Sequence, residues 1–166
     1  MENQSLTYTL YKPNSKISGS AMSLQLSKDR DCVYLNMIQQ SSWNDETKKG
    51  GFKENQGNDQ KSLSSKLNMD ELGGMLATLK NPAAPWSAFH NFNDNKTQLS
   101  LKVWDRSSMS KPNAMSFGVT KNGSLKIGTY FEPGEVECLK VFLMEAIKEI
   151  MWNKNKSKVI EDQKGE

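Results

Sequence analysis

The sequence predicts an α+β fold in which two repeats of antiparallel strands are each followed by one helix. Three observations predict it. Segments 61–79 and 123–143 share one pattern, a short alternating strand that runs straight into a capped amphipathic helix. Both helices carry start signals and a 3.6-residue apolar stripe, and the segments before them alternate apolar and polar residues.

In chain order, Leu6, Tyr8 and Leu10 share one face, then Met22, Leu24 and Leu26, then Val33, Leu35 and Met37. Such alternation implies antiparallel sheets with one core face and one wet face. Segment 41–61 is too polar and too rich in Gly, Asn, Lys and Asp for core, and reads as a long mobile loop. A helix over 68–80 follows. Asn68 is its N-cap, Glu71 completes a capping box, and Leu72, Met75, Leu76 and Leu79 form one face. Asn81-Pro82 ends it, because proline disfavours helix in the residue before it. Gly73-Gly74 weakens it by roughly 1 kcal/mol per glycine relative to alanine.

The aromatic run Trp86, Phe89, His90, Phe92 has no clear alternation, and at least two of its rings are expected in the core. Leu99, Leu101 and Val103 alternate against Gln98, Ser100, Lys102 and Trp104. Phe117 and Val119 lead to Asn122-Gly123, a strong short-hairpin signal, and Leu125, Ile127, Thr129 and Phe131 return. The second helix opens at Glu132-Pro133-Gly134-Glu135 and carries Val136, Leu139, Phe142, Leu143, Ala146, Ile147 and Ile150. One domain over 1–152 is expected, with halves at about 6–80 and 86–152, then a flexible charged tail over 153–166.

The chain has 166 residues, enough for a core of its own, and 22 Lys+Arg against 19 Asp+Glu give a formal net charge of only +3. No apolar run approaches the roughly 20 residues of a membrane span, and the N-terminus lacks a signal-peptide pattern, so an intracellular protein without membrane association is expected. Cys32 and Cys138 read as buried free thiols. The single histidine, the absence of a phosphate loop and the lack of metal-ligand spacing point to no catalytic site, no metal and no cofactor. Acidic residues gather in helix first turns, where they complement the dipole.

What stands out is basic residues interleaved with aromatics at wet-face positions: Lys102 with Trp104, and Lys126 with Tyr130. Phe52 and Lys53 lie near Lys49 in the polar loop, and Lys66 follows on the strand before the first helix. Single-strand binders use this mixture, since cations track phosphates and flat rings stack on unpaired bases. Phe117 and Phe131 fall on the apolar register and are expected in the core, whereas Lys12, Lys16 and Lys28 read as solvated surface near turns.

With its Gly-x-Leu-Lys-Ile strand feeding a Glu-Pro-Gly-Glu helix start, the chain resembles the whirly-type single-stranded nucleic-acid-binding proteins, in particular small phage-encoded members. The resemblance spans about residues 6–150. It implies two sheets packed together with helices at the ends, sequence-tolerant binding of single-stranded DNA in replication, recombination or transcription, and dimers or tetramers assembled through helices. The lysine-glycine strand motif of the plant members has only Lys48-Lys49-Gly50-Gly51 as an echo. RNA binding on the same scaffold, a ligand-holding barrel and a non-catalytic interaction module are the other classes left open, with an enzyme last.

Overall fold

The computed structural model describes residues 5–164, with side chains to residue 156. Its first half contains β1 (Thr7–Lys12), β2 (Ser20–Leu26), β3 (Val33–Gln39), β4 (Ser42–Asn44), β5 (Lys49–Gly51), β6 (Ser62–Leu67) and helix α1 (Met69–Lys80). The second half contains β7 (Trp86–Phe92), β8 (Asn95–Trp104), β9 (Ala114–Lys121), β10 (Leu125–Phe131) and helix α2 (Pro133–Lys164).

Two four-stranded antiparallel sheets result, ordered β1-β2-β3-β6 and β10-β9-β8-β7, and β4 and β5 form a separate hairpin. The inward sets are those that alternation selects. Leu24, Leu35, Leu67, Leu99, Leu101, Phe117 and Phe131 are fully buried, and Leu72, Met75, Leu139 and Leu143 from both helices join the same core. Each such side chain contributes about 1.5–3 kcal/mol when removed from water. Asn122 and Gly123 both adopt positive φ in the three-residue turn 122–124 that joins the paired Lys121 and Leu125.

Both helices start on a glutamate that reaches back. Asn68 Oδ1 accepts from the Glu71 N–H and Glu71 Oε2 accepts from the Asn68 N–H, at 2.9 Å each. In α2 Glu135 Oε2 accepts from the Glu132 N–H at 2.7 Å. Gly74 has a packing reason to be glycine: a Cβ there would lie 2.5 Å from Cδ1 and Nε1 of Trp86.

The structure corrects several expectations. Segment 41–61 is folded: β4 and β5 pair, and Asn55 Nδ2 donates to the carbonyls of Gln39 and Gln40, which ties the following turn to the end of β3. Strands of three residues are too short to leave an alternation signal. Of the rings in β7 only Trp86 packs on the core, while Phe89 and Phe92 are 63 % and 74 % exposed. β7 is a sheet edge, so its outward rings meet no neighbouring strand on one side.

Cys138 is exposed because it sits off the buried stripe of α2, whereas Cys32 is buried. The backbone of α2 continues to Lys164 through the segment expected as a flexible tail, which contains no proline or glycine before Gly165. Side chains from 157 onward and residues 165–166 lie outside the described residues.

Candidate nucleic-acid interface

Four of the residues singled out by sequence come together on the outer face of the second sheet. Register places Lys102, Ser116 and Tyr130 side by side in one row, Ser100, Gly118 and Gly128 in the next, and Gln98, Thr120 and Lys126 in the third. Trp104 lies beyond Lys102 on the same face of β8, and Phe89 of β7 continues the third row opposite Gln98. The centre is therefore a floor of small residues, with rings and ammonium groups around it.

Trp104 and Tyr130 meet edge to face, with centroids 5.3 Å apart at 76°. Lys12 Nζ stands 4.4 Å above the Tyr130 ring, and the Arg106 guanidinium lies 5.4 Å from the Trp104 ring. Contacts of this kind contribute about 0.5–1 kcal/mol at exposed sites and hold the rings in place. Both cations are neutralised from behind. Lys12 bonds both oxygens of Glu135, at 2.8 and 2.6 Å, and Arg106 grips Glu132 with two bonds of 2.8 and 2.6 Å. The Arg106 bonds hold the Glu132 carboxyl below its usual range. Lys102 and Lys126, by contrast, have no carboxylate partner among the described residues. The fixed cations position the rings, and the free ones face whatever arrives.

A groove of about 400 Å³ opens beside this face, between Lys102, Trp104 and Tyr130 on one wall and Lys12 with residues 18–20 on the other. It does not end there. Ser18, Gly19, Ser20 and Gly128 also wall the next depression, which reaches Lys61 and Lys126. Lys61 and Lys126 in turn wall a third with Lys121 and Asp59. Lys121 and Asp59 then border a groove of about 720 Å³ over the outer face of the first sheet, where Phe52 and Lys53 hang above Tyr11. The track carries six lysines, Lys12, Lys53, Lys61, Lys102, Lys121 and Lys126, against one carboxylate, Asp59. An aromatic pair stands at each end, because the Tyr11 and Phe52 centroids are 6.0 Å apart.

The remaining sequence candidates are dispersed. Phe52 and Lys53 line the groove of the first sheet. Lys66 is on that sheet's outer face, opposite Tyr34 and 3.3 Å from Asp31 Oδ2, and borders none of these grooves. Lys49 is exposed on β5 opposite Asn44, away from the track. Lys12, expected as solvated surface, is instead an ion-paired support with its side chain 15 % exposed. Sequence reasoning missed Tyr11, Phe89, Lys61 and Lys121. Phe89 carried a signal, because it follows Trp86 at odd spacing, whereas Lys61 and Lys121 only gain meaning from the fold.

A second polar cluster joins the other pair of sheet edges. His90 on β7 meets Glu71 Oε1 through Nε2 at 2.5 Å and Ser65 Oγ through Nδ1 at 2.8 Å. None of the three residues borders the grooves described above. Among the described residues no group of three or more His, Cys, Asp and Glu could hold a metal ion, and no helix is long and apolar enough to cross a membrane.

Compared with known proteins, the chain matches no family model and no curated protein at a significant level.

Proposed function

We propose that this protein binds single-stranded nucleic acid, DNA in the first instance, along the outer face of its second sheet, and that it does so inside the cell without catalysis. The observation that carries this reading is the Trp104–Tyr130 pair beside the unpaired Lys102 and Lys126, on a floor of Ser and Gly residues. Unpaired bases expose π-faces that such rings accept at about 1–3 kcal/mol each, and ammonium groups displace counterions from phosphates. A duplex hides its base faces, and no arginine-rich helix is presented that would enter a major groove.

Two four-stranded meanders, each closed by a helix with a back-reaching glutamate, support the whirly-like arrangement as the scaffold. The Ser65–His90–Glu71 chain is read as a structural fastening of the edges β6 and β7. Assembly is proposed through α2. Val141, Met144, Met151 and Trp152 are exposed on it, and a second copy would cover them.

A binding panel with single-stranded DNA, duplex DNA and RNA at two salt concentrations tests the reading. Single strands are expected to bind far better than duplex, with affinity falling as salt rises. Equal affinity for duplex, or no binding at low salt, overturns it.

A further inference from the structure

The face of the second sheet and the groove over the first are joined by a fixed floor. The Ser20 hydroxyl donates to the Gly128 carbonyl at 2.7 Å and Gln39 Nε2 donates to the Lys126 carbonyl at 3.3 Å, which ties the start of β2 and the end of β3 to β10. The Gln39 carbonyl in turn accepts from Asn55 Nδ2, and that bond holds the turn bearing Phe52 and Lys53 over the first sheet. Gln39 thus links the roof of one groove to the strand that carries Tyr130. Lys126 lies four residues before Tyr130 on β10, about 13 Å at the strand rise, and the Tyr11–Phe52 pair lies further along the track. Two ring pairs held apart in this way, with lysines between them, suit one long ligand carrying both flat rings and negative charges.

We propose that a strand bound through its bases to Trp104 and Tyr130 continues over the junction and stacks further bases on Tyr11 and Phe52. Lys61, Lys121 and Lys126 neutralise its phosphates at the crossing. Lys121 follows Val119 on the inward register of β9 and borders both the crossing and the first-sheet groove. Asp59 is the one carboxylate on the path, and it opposes the strand. It is exposed, and the three lysines wall the same depression, so the crossing stays cationic. Its charge costs affinity only for a strand long enough to pass it. This proposal rests on the single-strand reading of the second-sheet face and adds to it a second stacking site and a length requirement. Joining two sites through one ligand raises affinity by about 10²–10⁴ without any new contact.

The test uses the full chain and fluorescein-labelled thymidine strands of about 4 and about 16 nucleotides, the ends of the usual range of site sizes. Anisotropy is read at about 0.15 M salt, where charges more than about 8 Å apart are largely screened. The parent should bind the long strand at least about 100-fold more tightly than the short one. Tyr11→Ala and Phe52→Ala should each weaken the long strand about tenfold and leave the short one, held by the second-sheet face, unchanged. Asp59→Asn should tighten the long strand about threefold and leave the short one unchanged. Trp104→Ala should weaken both. Parent-like binding of the long strand by Tyr11→Ala and Phe52→Ala, or equal changes at both lengths in the three junction and first-sheet variants, overturns the crossing; a Trp104→Ala loss then leaves the second-sheet face intact. If the parent binds neither length, or Trp104→Ala binds both normally, the face falls and the crossing with it.

Discussion

Glu135, at the third position of α2, holds Lys12 of β1 at 2.6 Å, and in the same way Glu71, at the third position of α1, holds His90 of β7 at 2.5 Å. Each helix start is thus fastened to the first strand of the opposite half. The carboxylate that caps the helix also bridges the halves, and at Glu135 it sets the ammonium of Lys12 over Tyr130. Glu135→Gln is expected to keep the cap but loosen Lys12, reducing single-strand affinity less than loss of Tyr130 does. A binding titration of the two variants checks the order.

The pair Ser65 and Thr129 occupies matching positions, three residues before each helix cap. Ser65 has His90, whereas Thr129 Oγ1 is buried without a hydrogen-bond partner. A buried unsatisfied hydroxyl costs about 1–3 kcal/mol. Thr129→Val keeps the shape and should stabilise the fold by about 1 kcal/mol in urea unfolding.

The two adjacent glycines of α1 should respond in opposite directions. An added Cβ at Gly73 meets nothing within 4 Å, so Gly73→Ala should stabilise by up to about 1 kcal/mol. At Gly74 the added carbon collides with the Trp86 indole, and Gly74→Ala should cost about 1–3 kcal/mol despite its better helix propensity. Thermal melts of both variants decide this.

Two groups contribute to the pH dependence of stability at its two ends. The Ser27 hydroxyl foremost, with Cys32 and Lys66, holds the Asp31 carboxyl down to about 2, from 3.8. Folded below unfolded means that its contribution is present above about pH 4 and is lost as pH falls toward 2. Asp31→Asn should flatten that acid limb. Burial, followed by the charge of Glu135, pushes the Tyr8 phenol up to about 12 from 10.0. Its contribution is full below pH 10 and is lost between 10 and 12, so Tyr8→Phe should flatten the alkaline limb. Urea midpoints across pH measure both.

Local features were the most legible in the sequence. The Asn68–Glu71 box, the helix end at Lys80 and the Asn122-Gly123 turn each depend on neighbouring residues only, and all three form as read. The strand at Trp86–Phe92 was obscured because an edge strand carries rings on both faces. The ring positions of Trp104 and Tyr130 were legible as wet-face register. Their support by Lys12 and Arg106, and the lysine track around the sheet junction, arise from contacts between residues far apart in the chain. No periodicity encodes those.

Assembly through α2 predicts an oligomer. Light scattering at micromolar concentration should give a mass above 18.7 kDa, and Met151→Glu with Trp152→Glu should return the mass to that of one chain without lowering the melting temperature. A single-chain mass for the parent would contradict the proposed contact.

On the proposed function, the outer face of the second sheet stacks bases with its rings and neutralises phosphates with its lysines. Measuring single-strand affinity against salt for Trp104→Ala and Lys102→Ala tests it most directly. Trp104→Ala should lose about 1–3 kcal/mol with an unchanged salt slope, whereas Lys102→Ala should lose affinity and about one unit of slope. Parent-like affinity and slope in both variants would contradict the account.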